Sequence, residues 1–212
     1  MYINKSWGDS IDTIKHSLPL DEWYSSHPKL PYNYFKLPAR YSFDLSEMRE
    51  HVESMNTVSI QASSNGRRFS KYRGLGFFAR EESDSPLEDH FVRRDEEYGQ
   101  VFPDDLHLQD RLPKLYEDDF SKPTEILDSY FTKVFSVFNQ PITKASVLEL
   151  RAGGWLGSHV DFPYYKTIRL HASIRGCNNA WYEIEGERFQ IPEDGHWYFI
   201  DTGKYHSIWN EG

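Results

Sequence analysis

WLGSHVDFPYYKTIRLH, residues 155–171, joins a His-x-Asp pair to the start of an alternating apolar and polar pattern. His159 and Asp161 stand two residues apart. In extended chain the side-chain period is two, so both point the same way. An imidazole and a carboxylate aimed at one point suit a first-row divalent metal. A third donor is available downstream at His206, in DTGKYHSIWN, residues 201–210. The interval between Asp161 and His206 is long enough for several strands to run out and back. Two His and one carboxylate on one side of a metal, with the other positions open, form the facial arrangement used by non-haem Fe(II).

Working outward, the surrounding sequence has the texture of short strands. Residues 145–151 form one, ended by Gly153-Gly154. Residues 166–174 alternate, with Lys166, Ile168, Leu170 and Ala172 on one face and Thr167, Arg169, His171 and Ser173 on the other. Residues 181–185 and 188–191 form a hairpin around Glu185-Gly186. Residues 196–201 and 206–210 are two more strands, separated by Thr202-Gly203. Strands at this spacing without intervening helices indicate antiparallel β structure, a sandwich or jelly roll.

The first two thirds of the chain supply support. Residues 1–43 are expected to form short strands and loops. Residues 43–55 predict a short helix capped by Asp44, with Glu47 three residues on as in a capping box and Leu45, Met48, Val52 and Met55 on one face. Residues 57–62 alternate like a strand, and Asn65-Gly66 marks a turn over 63–67. Residues 73–81 are a short apolar stretch broken by Gly74 and Gly76. Residues 81–119 are charged and carry Pro86, Pro103 and Pro113. They form a long connection, either a solvated excursion or a loop that covers a substrate. Residues 124–138 are the clearest helix. Ile126, Tyr130, Val134 and Phe138 recur every four residues, and Leu127, Phe131 and Phe135 widen the stripe. Pro123 fits the first turn and Pro141 lies beyond the end. The expected organisation is a single domain, 1–212, with 1–144 supporting and 145–212 carrying the metal site.

Composition narrows the function classes. The net charge of −9 argues against nucleic acid, whose phosphates call for Lys/Arg patches. Aromatic residues make up 16% of the 212 residues, and each buries a large area, so a sizeable core is available. Cys177 is the one cysteine, which excludes an intrachain disulfide and suggests a reducing compartment. No apolar h-region opens the sequence and no run approaches 18 apolar residues, so a soluble cytoplasmic protein without membrane partners is expected. Motifs for a serine nucleophile, a P-loop or a dinucleotide fold are absent.

Arg169 and His171 on one strand face need a reason if that face is buried. An anionic ligand held by the planar guanidinium is one, and a solvent-facing side of the sheet is the other. His196 precedes an aromatic strand and is expected to pack or hydrogen-bond there. His27, His51, His90 and His107 lie outside the strand-rich half and are expected at the surface. Trp155, Phe162, Tyr164, Tyr165 and Trp181 are candidates to wall the metal site.

RAGGWLGSHVDF, IRLHASI and HWYFIDTGKYHSIWN, in that order and spacing, resemble the aspartyl/asparaginyl β-hydroxylase family of Fe(II)/2-oxoglutarate dioxygenases, including its bacterial proline-hydroxylase-like members. The resemblance covers about the last third of the chain. It implies a double-stranded β-helix, or cupin-like jelly roll, mainly β with a few helices packed on one face. It implies that His159, Asp161 and His206 bind Fe(II) and that Arg169 and His171 hold 2-oxoglutarate. The implied activity is hydroxylation of an unactivated C–H bond of an amino acid or a peptide residue by O2, with 2-oxoglutarate converted to succinate and CO2. Family members usually carry a further Arg about ten residues past the distal His, for the far carboxylate of 2-oxoglutarate. Residues 1–212 stop short of that position, so weak co-substrate binding by these residues is expected, with Arg151 the candidate replacement. Two other classes remain: a cupin-like metal enzyme without 2-oxoglutarate, and a non-catalytic ligand-binding jelly roll.

Overall fold

The computed structural model describes residues 29–55, 57–59, 69–81, 120–161, 164 and 167–212. Among them are eleven strands: β1 (Tyr34–Lys36), β2 (Val58–Ser59), β3 (Phe69–Gly76), β4 (Phe78–Ala79), β5 (Lys122–Pro123), β6 (Ser146–His159), β7 (Leu170–His171), β8 (Ala180–Ile184), β9 (Glu187–Phe189), β10 (Tyr198–Ile200) and β11 (His206–Asn210). Two α-helices accompany them, α1 (Leu45–Glu53) and α2 (Ser129–Ser136). The fold is mainly β and its strand pairs are antiparallel. No helix among the described residues is long and apolar enough to cross a membrane.

The larger sheet has the order β2-β3-β6-β11-β8-β9, and the smaller has β1-β10-β7. They pack on each other. Ile184 and Phe189 of the larger sheet share one buried cluster with Ile191 and with Tyr198 and Ile200 of the smaller. The hairpin between β8 and β9 turns where its sequence predicts. Glu185 and Gly186 both adopt positive φ, 48° and 85°, as a two-residue primed turn requires.

A second cluster holds both helices against the sheet end: Met48, Phe77, Phe78, Tyr130, Phe131 and Val134, flanked by Val52, Met55 and Phe135. Asp44 caps α1 by accepting from the backbone nitrogens of Ser46 and Glu47. The apolar stripe of α2 is buried as its period predicts, but the helix starts later than residue 124. Thr124 donates its backbone nitrogen to Phe77 O and its hydroxyl to Gly76 O, and its own carbonyl accepts from Leu127 N, so the chain makes a turn there before the helix. Asp128 then accepts from Phe131 N and becomes the cap. Pro123 accordingly lies in an edge strand opposite Phe78 rather than in a first helical turn.

Two strand expectations change in length. Gly153-Gly154 does not end a strand: β6 runs for 14 residues, from Ser146 through both glycines to His159. Opposite β3 the register shifts between Ser70 and Tyr72, where β6 advances from Trp155 to Leu150. Gly153 absorbs this bulge at φ 66°, and Lys71 Nζ donates to the Ala152 carbonyl across it. In the other direction, the regular strand expected over 166–174 is reduced to Leu170–His171. Residues 60–62, the turn over 63–67 and the connection over 82–119 lie outside the described residues, as do His27, His90 and His107. His51 departs from a simple surface position. It is partly buried, stacks on Tyr130 at 4.1 Å, and places Nδ1 3.1 Å from Asp128 Oδ2.

Candidate metal centre

The pairing of β6 with β11 sets His206 directly opposite His159. Asp161 follows two residues after His159, and its backbone nitrogen donates to Thr202 O at 2.8 Å. That bond draws the end of β6 against the turn that leads into β11. One donor atom from each of His159, Asp161 and His206 then lies within 4.8 Å of the others, and all three residues are buried. These are the three candidate ligands predicted from sequence.

Their hydrogen bonds fix which nitrogen of each ring is presented. His159 Nδ1 lies 2.7 Å from Gly157 O, and His206 Nδ1 lies 2.9 Å from Lys204 O. A carbonyl only accepts, so each Nδ1 carries the proton and each Nε2 is left with its lone pair. His159 Nε2 is 3.8 Å from Asp161 Oδ1, and His206 Nε2 is 3.5 Å from Oδ2. Asp161 Oδ1 is buried, and no donor among the described residues reaches it. A buried carboxylate whose two oxygens each face one imidazole lone pair, with no donor to Oδ1 among the described residues, is a donor set short of a cation. The three residues therefore fit a divalent metal ion.

Electrostatics favour the ligating forms. Burial lowers the pKa of His206, to about 3, and also that of His159, so both imidazoles are neutral at pH 7. Burial alone would raise Asp161, but Arg169, then His159 and His206, outweigh it and hold the carboxyl well below the usual range. A metal would meet one anionic and two neutral donors.

Arg169 and His171 approach from the smaller sheet. His171 pairs with Tyr198 and Leu170 with Phe199, so His171 faces the interior and Leu170 the other side. Arg169 Nη1 lies 2.8 Å from Asp161 Oδ2, which settles its direction as inward. The Tyr182 hydroxyl lies 3.1 Å from His171 Nδ1, and burial, then Arg169, lowers the His171 pKa to about 4.

Other sequence candidates lie elsewhere. Arg151 faces outward, exposed, and pairs with Glu149 at 3.0 Å, so it is not a replacement anion-binding group in the interior. Trp155 and Trp181 do not wall the centre. Both are register partners of Trp209, which alternates with His206 and Ile208 and so lies on the opposite face of the sheet. Arg188 covers Trp181 and Trp209 there, at 4.2 and 4.8 Å. Tyr164 is partly buried in the turn after Asp161, and Phe162 and Tyr165 lie outside the described residues. His196 donates its backbone nitrogen to Asp194, and Cys177 is partly buried with a thiol pKa raised by burial.

Lys204 was not singled out by its sequence. It is 4% exposed, and its Nζ donates to Leu30 O and Asn33 Oδ1, both at 2.8 Å. Its own carbonyl is the one that orients His206. It lies in the turn over 202–204 rather than in a strand, so no periodic pattern in the sequence marks it. No known family model matches the chain, and no curated protein matches its sequence.

Proposed function

We propose that this protein is an oxygenase that uses Fe(II) and 2-oxoglutarate to hydroxylate an unactivated C–H bond of an amino acid or of an amino-acid residue in a peptide. One observation carries the reading: one donor atom from each of His159, Asp161 and His206 lies within 4.8 Å of the others in the interior, and no donor among the described residues reaches Asp161 Oδ1. Such a set occupies one side of a metal and leaves the remaining positions open to small ligands. Bound there, Fe(II) would supply the oxidative chemistry. The antiparallel two-layer arrangement supports a double-stranded β-helix, or cupin-like jelly roll, as the finer description of the fold.

The chain's own residues do the positioning. Gly157 O and Lys204 O aim the two imidazoles, and Asp161 would balance part of the charge of a bound metal. Ile184, fully buried and paired with His206, keeps water from that side. Arg169 and His171 border the centre on the side of β7, where a guanidinium suits the oxo-acid end of 2-oxoglutarate. A second reading, a cupin-like metal enzyme without 2-oxoglutarate, draws on Arg169 being engaged by Asp161 and Arg151 facing outward.

Succinate formation separates the two. With Fe(II), 2-oxoglutarate, O2 and a panel of amino acids and short peptides, the protein should release succinate and Asp161→Ala should not. Bound metal with O2 uptake but no succinate would favour the second reading. Absence of bound metal would leave only a ligand-binding role.

A further inference from the structure

The two oxygens of Asp161 have different surroundings. Oδ2 is 2.8 Å from Arg169 Nη1 and 3.5 Å from His206 Nε2, whereas Oδ1 has no donor among the described residues and faces His159 Nε2 at 3.8 Å. A cation beside a metal ligand ordinarily opposes metal binding. Here it sits on the oxygen turned from His159, so it can orient the carboxylate while the other oxygen is left to the metal. We propose that Arg169 is a positioning residue for Asp161, holding Oδ2 so that Oδ1 alone binds the metal. This rests on the metal-site reading above and adds the coordination mode.

The constraint is applied at both ends of the aspartate. Its backbone nitrogen is tied to Thr202 O. Its carboxylate is tied to Arg169, whose own carbonyl accepts from Ile200 N at 3.2 Å and so is anchored on β10. A charge-assisted bond of this length holds Oδ2 toward the guanidinium. A carboxylate held by one oxygen occupies one coordination position. Chelation through both would take two and would leave Oδ2 shared between the metal and a guanidinium of like charge. Arg169 thereby keeps a position open on the metal. It has this role without any co-substrate, which separates it from an arginine that only binds an oxo acid.

Co(II), added alone and without 2-oxoglutarate, is the probe. It should be titrated into metal-free wild type, R169M and R169K, reading affinity by calorimetry and ligand geometry by visible absorption. Removing an outer-shell partner typically costs about 10- to 100-fold in metal affinity. R169M is expected to show a loss of that size with a changed absorption spectrum. R169K, which keeps one charged donor, is expected to recover part of it. R169M equal to wild type in affinity and spectrum would overturn the proposal, as would R169K no better than R169M. X-ray absorption of the Co(II) wild type gives a test that does not need the variants to fold. One carboxylate oxygen on Co(II) is expected, and a chelating carboxylate would overturn the proposal. Wild type that binds no Co(II) would instead remove the metal site itself.

Discussion

His159 and His206 are direct cross-strand partners, with ring centroids 4.1 Å apart and planes inclined by 50°. Each also donates Nδ1–H to a carbonyl two residues earlier in its own strand or turn. The same local device on two adjacent antiparallel strands aims two Nε2 lone pairs at one place. Asp161 then needs only to follow His159 by two residues to complete the set.

His206→Ala should therefore remove metal binding without unfolding the protein. The lost ligand should cost more than the roughly 10- to 100-fold that outer-shell partners cost. Calorimetric titration with Mn(II), beside circular dichroism of the same sample, checks both halves. Retained affinity would mean that His206 is not a ligand.

The metal-free protein should lose stability as pH falls from about 6.5 toward 4. The sign follows from the histidines. An unfolded His takes up a proton near 6.5, whereas burial delays uptake by native His206 to about 3 and by His171 to about 4. Across that window the unfolded chain binds more protons, so acidification favours unfolding. One such group can cost on the order of 3 kcal/mol by pH 4. Thermal melts in chelator at pH 7.5, 6 and 5 should show a falling midpoint, and a flat or rising midpoint would contradict the neutral assignment.

Lys204→Met should cost about 3–5 kcal/mol, the range for breaking a buried charge pair from one side. The lysine is buried, ties residues 30–33 to the turn, and lies 3.7 Å from the equally buried Asp201. Denaturant unfolding measures the loss. Because the Lys204 carbonyl orients His206, metal affinity should fall as well.

What the sequence made legible follows from local rules. His-x-Asp in extended chain, the Glu185-Gly186 turn, the Asp44 cap and the stripe through Tyr130, Val134 and Phe138 each depend on neighbours a few residues away. What it hid depends on distant partners. Whether Gly153-Gly154 ends a strand or bulges within one is decided by β3, whose Lys71 reaches across the bulge. Helix α2 begins at Ser129 because Thr124 is claimed by the carbonyls of Gly76 and Phe77. The direction of Arg151, and the engagement of Arg169 by Asp161, likewise depend on tertiary placement that spacing does not encode.

Gly195→Ala should destabilise the fold by about 2–4 kcal/mol, from backbone strain and overpacking together. Gly195 has φ 71°, and an added Cβ would stand 2.6 Å from Phe43 O. The Gly195 carbonyl accepts from Phe43 N at 2.9 Å, which leaves that backbone little room to withdraw. Urea unfolding gives the magnitude. Metal affinity of the folded variant should match wild type, since this contact belongs to the entry of α1 and not to the centre.

The central claim is that His159, Asp161 and His206 bind one divalent metal. Its most direct test is an anomalous difference map from crystals grown with Mn(II). The account predicts one strong peak about 2.0–2.3 Å from His159 Nε2, His206 Nε2 and Asp161 Oδ1. Absence of a peak there under saturating Mn(II), or a peak held by other side chains, would contradict it.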